Sequence, residues 1–309
     1  MPVTPPVART FTQDDATVVV ETRPAFLDAL GRADDGDVVY VADGATVDLT
    51  AETAIGVPDG VTVASGRDPE AGRQGAAITV SDEEGYLFKV YGEDVTFAGL
   101  RLLGPRRGYF DPRGAYDDHD RTGVYALGDG FEMVNCEASG WPHAAVAAGS
   151  RTRATTTEVR DSYLHHNAMQ GYGYGATFYN GHHLLERNVF DHNRHAVAGF
   201  GYDTCGFEVR ENYFGSETVG HVVDMHALNQ NLDDADPVAG GRIDVHHNTF
   251  ATAESIHRSP VSAVAIKGFR PRVGPSGATI SPIRPRRRDR ARRRTPSARS
   301  RSTPGRTSG

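Results

Sequence analysis

The segment His221–His226 (HVVDMH) is the most specific arrangement of chemically active side chains in this sequence. Successive side chains of a strand point to opposite faces, so Val223 and Met225 are expected in a core and Asp224 and His226 together on the outer face. An Asp beside a His can orient the imidazole for proton transfer, or the pair can supply two ligands to a metal ion. An ordinary surface Asp–His pair is the alternative.

A second polar segment, Asp191–His195 (DHNRH), lies earlier in the chain. Arg194 carries a permanent, planar charge that suits a carboxylate ligand, and His195 or His221 offers a further imidazole for proton transfer. We expect Arg194 to lie across from Asp224. Because the body of the chain is acidic, an ion pair between Arg194 and a neighbouring carboxylate is the alternative.

Two tyrosines occur in the glycine-rich segment Gly171–Gly175 (GYGYG), which aligns with Gly199–Tyr202 (GFGY). The alignment predicts that Tyr174 stacks over Phe200. Tyr172 and Tyr174 on one face would suit packing against sugar rings, or one of them could donate or accept a proton. An internal aromatic stack is the alternative for both tyrosines.

These segments belong to an internal repeat, which decides how they are positioned. Each block has an apolar residue, two or three mostly polar residues, a small or polar anchor, a spacer and usually another apolar residue. The aligned anchors are Leu100, Cys136, Ser162, Asn188, Asn212 and Asn248, spaced by 36, 26, 26, 24 and 36 residues. A unit of 24–26 residues with insertions predicts one coil of a right-handed parallel β-helix, with three short strands per coil.

The anchor position itself predicts a ladder. Asn188, Asn212 and Asn248 should stack with their side-chain amides bonded along the solenoid axis, and ordinary turn chemistry is the alternative. Cys136 shares the position, and it and Cys205 are interpreted as structural thiols. Two cysteines exclude a multi-disulfide scaffold and a cysteine-based zinc finger.

All thirteen histidines fall in the middle of the chain. The alignment of coils places His166 on His192, and it puts His143 and His195 in one column with Met169 between them. Like positions on one face of a β-helix build a long groove, and a solvated face carrying histidines is the alternative. The predicted substrate-binding residues are His143, His166, His192 and Tyr202.

The sequence resembles the pectate-lyase-like family of right-handed parallel β-helix proteins over roughly residues 15–267. The resemblance rests on Phe26–Gly44 (FLDALGRADDGDVVYVADG), on Pro58–Ser65 (PDGVTVAS) and on the Asn-bearing repeat. It implies an all-β solenoid whose N-terminal end is capped by a helix, for which Thr22 is a candidate cap and Gly31 a candidate end. The family includes polysaccharide lyases, uronan epimerases, polygalacturonase-type hydrolases and non-catalytic surface proteins.

The leading hypothesis is a polysaccharide lyase that cleaves a uronate-containing polysaccharide by β-elimination. That reaction needs a cation or metal on the uronate carboxylate, a base for the neighbouring proton and an acid for the leaving oxygen. The candidate catalytic residues are Arg194 for the cation, His195, His221 or His226 for the base with Asp224 as orienting partner, and Tyr172 or Tyr174 for the acid. A hydrolase needs paired carboxylates, for which Asp191 and Asp224 give thin support. An epimerase on the same residues and a non-catalytic carbohydrate-binding β-helix are the alternatives.

The net charge of −7 combines two very different regions. Residues 1–267 carry −19, and residues 268–309 carry +12 from thirteen Arg, no Lys and one Asp. The acidic, lysine-poor body is typical of halophilic proteins and is a poor candidate for nucleic-acid binding. The Arg/Pro/Ser-rich tail has no apolar period and is predicted to be disordered. It would bind nucleic acid only if genuine, and a reading-frame artefact downstream of Lys267 is the explanation we favour.

We therefore predict an N-terminal arm (1–22), a β-helix domain (23–267) and a basic tail (268–309). No apolar run is long enough for a membrane span, and the absence of a visible signal peptide predicts a cytoplasmic location, although the resembled family commonly acts outside the cell. A polysaccharide substrate and a monomeric state are expected. No cofactor is certain, but Asp117, Asp118 and Asp120 could bind Ca²⁺ through oxygen ligands.

Overall fold

The structure, a computed structural model, describes residues 10–106, 120–169, 171–227, 238–251 and 261–268. Contacts within the chain separate residues 1–274 from residues 275–309, and only the first unit contains described residues. The predicted tail beyond Gly268 and the calcium candidates Asp117 and Asp118 lie outside the described ranges.

Three parallel sheets form the described part of the chain. The first sheet contains β1 (Val18–Val20), β2 (Val38–Val41), β4 (Thr62–Ala64), β7 (Thr96–Ala98), β10 (Phe131–Val134), β13 (Thr155–Arg160), β16 (Gly181–Glu186), β19 (Cys205–Arg210) and β22 (Ile243–His246). The second contains β3 (Thr46–Asp48), β5 (Ala77–Thr79), β8 (Arg101–Leu103), β11 (Glu137–Ser139), β14 (Tyr163–His165), β17 (Val189–Asp191), β20 (Tyr213–Phe214) and β23 (Thr249–Phe250). The third contains β6 (Tyr86–Val90), β9 (Thr122–Ala126), β12 (Ala144–Ala148), β15 (Tyr174–Phe178), β18 (His195–Phe200), β21 (Val223–His226) and β24 (Val264–Ile266).

Strands from successive coils pair side by side, so the chain is a parallel β-helix, as the repeat predicted. Equivalent apolar residues therefore stack inside the solenoid. One buried column of the first sheet consists of Val39, Val63, Phe97, Met133, Val159, Leu185 and Val209. The core runs along the whole axis and has no single centre, so each coil is stabilised by its two neighbours.

The predicted helix is present as α1 (Arg23–Leu30), and it buries Phe26 and Leu30 in the core at the N-terminal end. Thr22 occupies the N-cap position, but its side chain makes no capping hydrogen bond. A short 3₁₀ helix, Gln13–Asp15, precedes β1. Because β1 pairs with β2, the first sheet begins within the segment that the sequence assigned to the arm.

The predicted asparagine ladder is confirmed. Asn188 donates from Nδ2 to Oδ1 of Asn212 at 3.0 Å, and Asn212 donates in turn to Oδ1 of Asn248 at 3.0 Å. The same two oxygens accept the backbone N–H groups of Asn188 and Asn212. Ser162 continues the ladder, because its N–H donates to Asn188 and its hydroxyl accepts the N–H of Cys136. The amides thus satisfy backbone groups that the sharp turn leaves without a sheet partner.

A left-handed residue stands immediately before each of these ladder positions. These residues are Asn135, Asp161, Arg187, Glu211 and His247, with φ between 50° and 57°. A non-glycine residue in this region costs on the order of 1 kcal/mol. In these five described turns, the ladder hydrogen bonds offset that cost.

Among the described residues, His183 is the one histidine of the first sheet whose side chain is buried in the apolar interior, and its burial predicts that the protein is less stable in acid. It stacks on Phe178 with ring centroids 4.3 Å apart, and its register neighbours are Thr157 and Phe207. Burial lowers the pKa of His183 to about 3. The folded state therefore holds it neutral, while the unfolded chain takes up a proton below its ordinary pKa of about 6.5.

We expect the His183→Phe variant to lose less stability than the parent as the pH falls. In the parent, protonation of His183 in the unfolded chain leaves the free energy of unfolding unchanged above pH ~6.5. Below that pH the free energy of unfolding falls, by about 2 kcal/mol at pH ~5, and continues to fall until the pH reaches the folded pKa. Chemical denaturation at pH ~7 and ~5 should show the difference between the two proteins growing by that amount. His182→Ala, at the exposed neighbouring position, is the control. Parallel pH profiles for parent and His183→Phe would contradict the prediction.

Candidate functional site

Neighbouring strands of the third sheet bring the chemically active side chains together. Tyr174 begins β15 and lies beside His195, which begins β18. One coil further, Asp224 lies beside Ala198 and His226 beside Phe200. The alternation predicted for β21 is confirmed. Val223 and Met225 pack in the core, while Asp224 and His226 lie on the opposite face of the strand.

Asp224 is the centre of the cluster and is completely buried, although it points away from the core. Its Oδ2 lies 2.7 Å from Nζ of Lys267, 3.0 Å from Nε2 of His226 and 3.5 Å from Nε2 of His195. Burial by itself would raise the pKa of Asp224, but the neighbouring His226 and Lys267 outweigh burial and hold the pKa well below its usual range. Asp224 is therefore a carboxylate in the folded protein.

His195 is held in one orientation by the strand that follows. Its Nδ1 lies 2.5 Å from the backbone carbonyl oxygen of His221, so Nδ1 carries a proton and donates it there. Its ring stacks on Tyr174 and meets the ring of His226 edge-on, with centroids 5.7 Å apart in both cases. Burial, reinforced by the charge of Arg194, lowers the pKa of His195 to about 3. The imidazole is therefore neutral.

His221 lies level with His195, with ring centroids 6.4 Å apart. Its Nδ1 accepts the backbone N–H of Ser262 at 3.1 Å. Burial lowers the pKa of His221. His221 therefore contributes its carbonyl oxygen to the orientation of His195, and its own ring lies at the edge of the cluster.

Arg194 joins the cluster through Tyr174. Its Nη1 lies 3.4 Å from the Tyr174 hydroxyl, and its guanidinium lies over the ring, 5.8 Å from the centroid. Among the described residues no carboxylate comes within 4.0 Å of this guanidinium, so the alternative of an ion pair with a neighbouring acid is not observed there. Burial raises the pKa of Tyr174, which keeps the phenol protonated.

Tyr172 and His143 cover the other side of Tyr174. The ring of His143 makes edge-on contacts with Tyr172 and Tyr174, with centroids 5.1 and 5.7 Å apart. Its Nδ1 is 2.8 Å from the hydroxyl of Thr122. Burial lowers the pKa of His143 to about 4. These rings pack around Tyr174, the side chain that Arg194 contacts.

Two predicted stacks are wrong. His195 lies in register with Tyr174 and, through it, with Ala144, so His143 and His195 do not share a column with Met169 between them. Tyr174 does not stack over Phe200. Six residues separate Asn167 from Tyr174, whereas a single residue, Arg194, separates Asn193 from His195. The alignment assumed the same number of residues in this turn of every coil, and that assumption is wrong here.

Phe200 belongs instead to an aromatic column with Tyr179 and His226. The rings of Tyr179 and Phe200 stack with centroids 4.5 Å apart, and Phe200 and His226 follow at 5.8 Å. Tyr202 lies 6.3 Å from Tyr179 and packs partly against the core. The predicted substrate-binding residue Tyr202 thus follows the end of β18, two residues after Phe200, which lies beside His226 of β21.

His166 and His192 stack on each other as predicted, with ring centroids 4.4 Å apart. They lie in the turn that follows the second sheet, where His166 also meets His165 and His192 pairs with Asp191 at 3.0 Å. The cluster on the third sheet is built from other residues.

Lys267 is the site residue that sequence reasoning missed. It follows β24, whose register places Ile266 beside Met225, so Lys267 reaches Asp224 from the next coil. Its side chain is 39% exposed, against 12% for His226 and none for Asp224. One signal was available, because Lys267 is one of only two lysines in the chain.

The arrangement can do two kinds of chemistry. The buried Asp224 carboxylate, 3.0 Å from Nε2 of His226, can orient that imidazole as a proton acceptor, and the Arg194 guanidinium at Tyr174 can bind an anion. His195, Asp224 and His226 also bring three potential metal-ligand atoms within 4.8 Å of one another.

No protein-family model and no curated protein matches the chain. Similar solved structures include the Escherichia coli protein YbhC, 12% identical with a TM-score of 0.47, covering 79% of this chain and 87% of that one. An alginate lyase from Paenibacillus sp. str. FPU-7 is 13% identical with a TM-score of 0.43, covering 82% of this chain and 98% of that one. Both are too distant to assign a role to any residue. Among the described residues, no helix is long and apolar enough to cross a membrane.

Proposed function

We propose that this protein is a carbohydrate-active β-helix protein that cleaves a uronate-containing polysaccharide by β-elimination. The observation that carries the proposal is Arg194, which has no carboxylate partner among the described residues and contacts Tyr174, whose ring stacks on His195 next to the buried Asp224. In a chain whose body is strongly acidic, a partly buried guanidinium without such a partner is suited to an anionic ligand from outside.

Arg194 would bind the carboxylate of the uronate. The proton at C5 of a uronate is acidic only when negative charge that develops on this carboxylate is stabilised. The guanidinium can donate two parallel hydrogen bonds to the carboxylate and fix its plane. Tyr172 and His143 pack against Tyr174, the neighbour of Arg194, and would limit how the sugar ring enters.

His226 would accept the C5 proton. Its Nε2 lies 3.0 Å from the Asp224 carboxylate, and in the proposed reaction a ring proton on Nε2 faces that carboxylate while Nδ1 keeps the free lone pair. The carboxylate then stabilises the imidazolium that forms when Nδ1 takes the proton. His195 is almost completely buried and is oriented by a carbonyl, so it is the less suitable base.

Tyr174 would protonate the leaving oxygen. Its hydroxyl lies beside Arg194, the group that would bind the uronate, and burial keeps it protonated. The balance of the step is then complete. The C5–H bond breaks and its proton moves to His226, the C4=C5 double bond forms, the C4–O4 bond breaks, and O4 takes the phenolic proton of Tyr174. After the product leaves, the His226 imidazolium releases its proton to solvent and the Tyr174 phenolate takes one up, which restores both groups.

The test is incubation of the full chain with polygalacturonate, alginate and glucuronan in the presence of a chelator, with a neutral glucan as control. We expect the ultraviolet absorbance of the C4=C5 double bond, conjugated to the carboxylate, to rise with at least one uronan and not with the glucan. Exchange of the C5 hydrogen with deuterium from solvent without chain cleavage would show an epimerase instead. Binding without either reaction would show a non-catalytic carbohydrate-binding protein, and each of these two results would overturn the proposed lyase.

A further inference from the structure

Three side chains of the cluster converge as a metal site would require. The ligand atoms of His195, Asp224 and His226 all lie within 4.8 Å of one another. From Oδ2 of Asp224 the two Nε2 atoms are 3.0 and 3.5 Å away. Ligands at about 2.0–2.2 Å from one ion stand at such separations when the ion is four- to six-coordinate.

Two buried acceptors in this cluster face each other without a proton between them. Nδ1 of His195 donates to the carbonyl oxygen of His221, which leaves a lone pair on Nε2 directed at the Asp224 carboxylate. Nε2 makes no hydrogen bond, and Oδ1 of Asp224 is also buried without a hydrogen-bond partner. Buried polar atoms are normally satisfied, so the two unpaired atoms point to a ligand bound within this cluster.

We propose that His195, Asp224 and His226 bind a divalent transition-metal ion. Two imidazole nitrogens and one carboxylate oxygen suit Zn²⁺, Co²⁺, Ni²⁺ or Fe²⁺, whereas Ca²⁺ takes oxygen ligands. The hydrogen bond from His195 to the His221 carbonyl is the kind of outer-shell contact that fixes the tautomer of a metal-binding imidazole. This site uses none of the acidic residues for which the sequence predicted calcium.

Lys267 sets the conditions under which the ion binds. Its ammonium lies 2.7 Å from Oδ2 of Asp224 and supplies positive charge to the carboxylate when no ion is bound. A divalent ion at the same oxygen would repel it. The side chain is 39% exposed, so it can move into solvent. The site therefore exchanges an ammonium for a metal ion, and removal of that ammonium should strengthen metal binding.

The inference is separate from the proposed lyase reaction, although both use His226. A ring that ligates an ion cannot also act as the base, so lyase activity is assayed with chelator and metal binding is measured without substrate. A chain that binds metal but has no lyase activity would overturn only the proposed function. A chain that is an active lyase but binds no metal would overturn only this inference.

The experiment is titration of the chelator-treated full chain with Co²⁺, monitored by the visible d–d absorption, and with Zn²⁺ by calorimetry at pH ~7.5, where the imidazoles are free to ligate. We expect one ion per chain. His195→Ala and His226→Ala should each weaken binding by more than the roughly 10–100-fold that loss of an outer-shell partner costs. His182→Ala changes an exposed histidine outside the site and should bind as the parent does.

The two lysines provide a second, matched comparison. Lys267→Met should tighten Co²⁺ binding at least ~10-fold, because a like charge near the ion is removed. Lys89→Met removes the other lysine, which lies over the rings of Tyr86 and Tyr91, and should leave the affinity unchanged. No visible band with the parent, equal affinity in His195→Ala and His226→Ala, or no gain in Lys267→Met would overturn the inference. Circular dichroism of each variant checks that it is folded.

Discussion

Replacement of His226 by Ala is expected to lower the rate of β-elimination by at least ~10²-fold, the usual size of a general acid–base contribution. The imidazole is oriented by a completely buried carboxylate at 3.0 Å, so no neighbouring group can take over its position without rearrangement. The measurement is the initial rate of formation of the unsaturated product in the presence of chelator, with the substrate found in the uronan panel. His182→Ala should retain the parental rate.

A loss of rate is also expected when Arg194, the proposed binding partner of the substrate carboxylate, is replaced. Arg194→Ala should also reduce the rate by at least ~10²-fold, because a developing negative charge loses its counter-charge. Arg194→Lys keeps the charge but loses the two-pronged geometry, so its rate should fall between those of the parent and the Ala variant. Parental rates in both His226→Ala and Arg194→Ala would remove the two residues from the mechanism.

Replacement of Asn212 by Ala is expected to lower the free energy of unfolding by about 3–5 kcal/mol, because buried groups that lose a hydrogen-bond partner cost about 1–3 kcal/mol each. The amide of Asn212 donates to the carbonyl oxygens of Leu185 and Arg210 and to Asn248. Its side-chain oxygen accepts hydrogen bonds from the backbone N–H and from the side-chain amide of Asn188. Urea denaturation followed by circular dichroism and by intrinsic fluorescence measures the loss, and agreement of the two probes checks that unfolding is two-state.

Two variants in the same ladder calibrate this loss. Asn248→Ala, at the last described position of the ladder, should cost less than half as much, since Asn248 is only partly buried and has one ladder neighbour. Asn212→Ser should fall between the two, because Ser162 already fills an equivalent position with a hydroxyl. A cost below about 1 kcal/mol for Asn212→Ala, the net value of a single hydrogen bond, would show that the ladder does not hold the coils together.

The sequence by itself determined the solenoid and the face on which the site lies. The spacing of Asn188 and Asn212 predicted the length of a coil, and the ladder between them is observed. The alternation in β21 predicted that Asp224 and His226 share a face. Both predictions rest on patterns that can be read directly from the sequence. Side chains in a strand alternate every two residues, and the same motif recurs from coil to coil.

Only the tertiary structure decided which residues meet Asp224. The lateral register of the third sheet depends on the length of each turn before it, and a hydrophobic pattern does not encode turn length. The six residues before Tyr174 and the single residue before His195 therefore placed those two side by side and left His143 against Tyr172. Lys267 contacts Asp224 although 43 positions separate them in the sequence. Parallel pairing of strands from successive coils brings the two residues together, and no short-range sequence pattern predicts that contact.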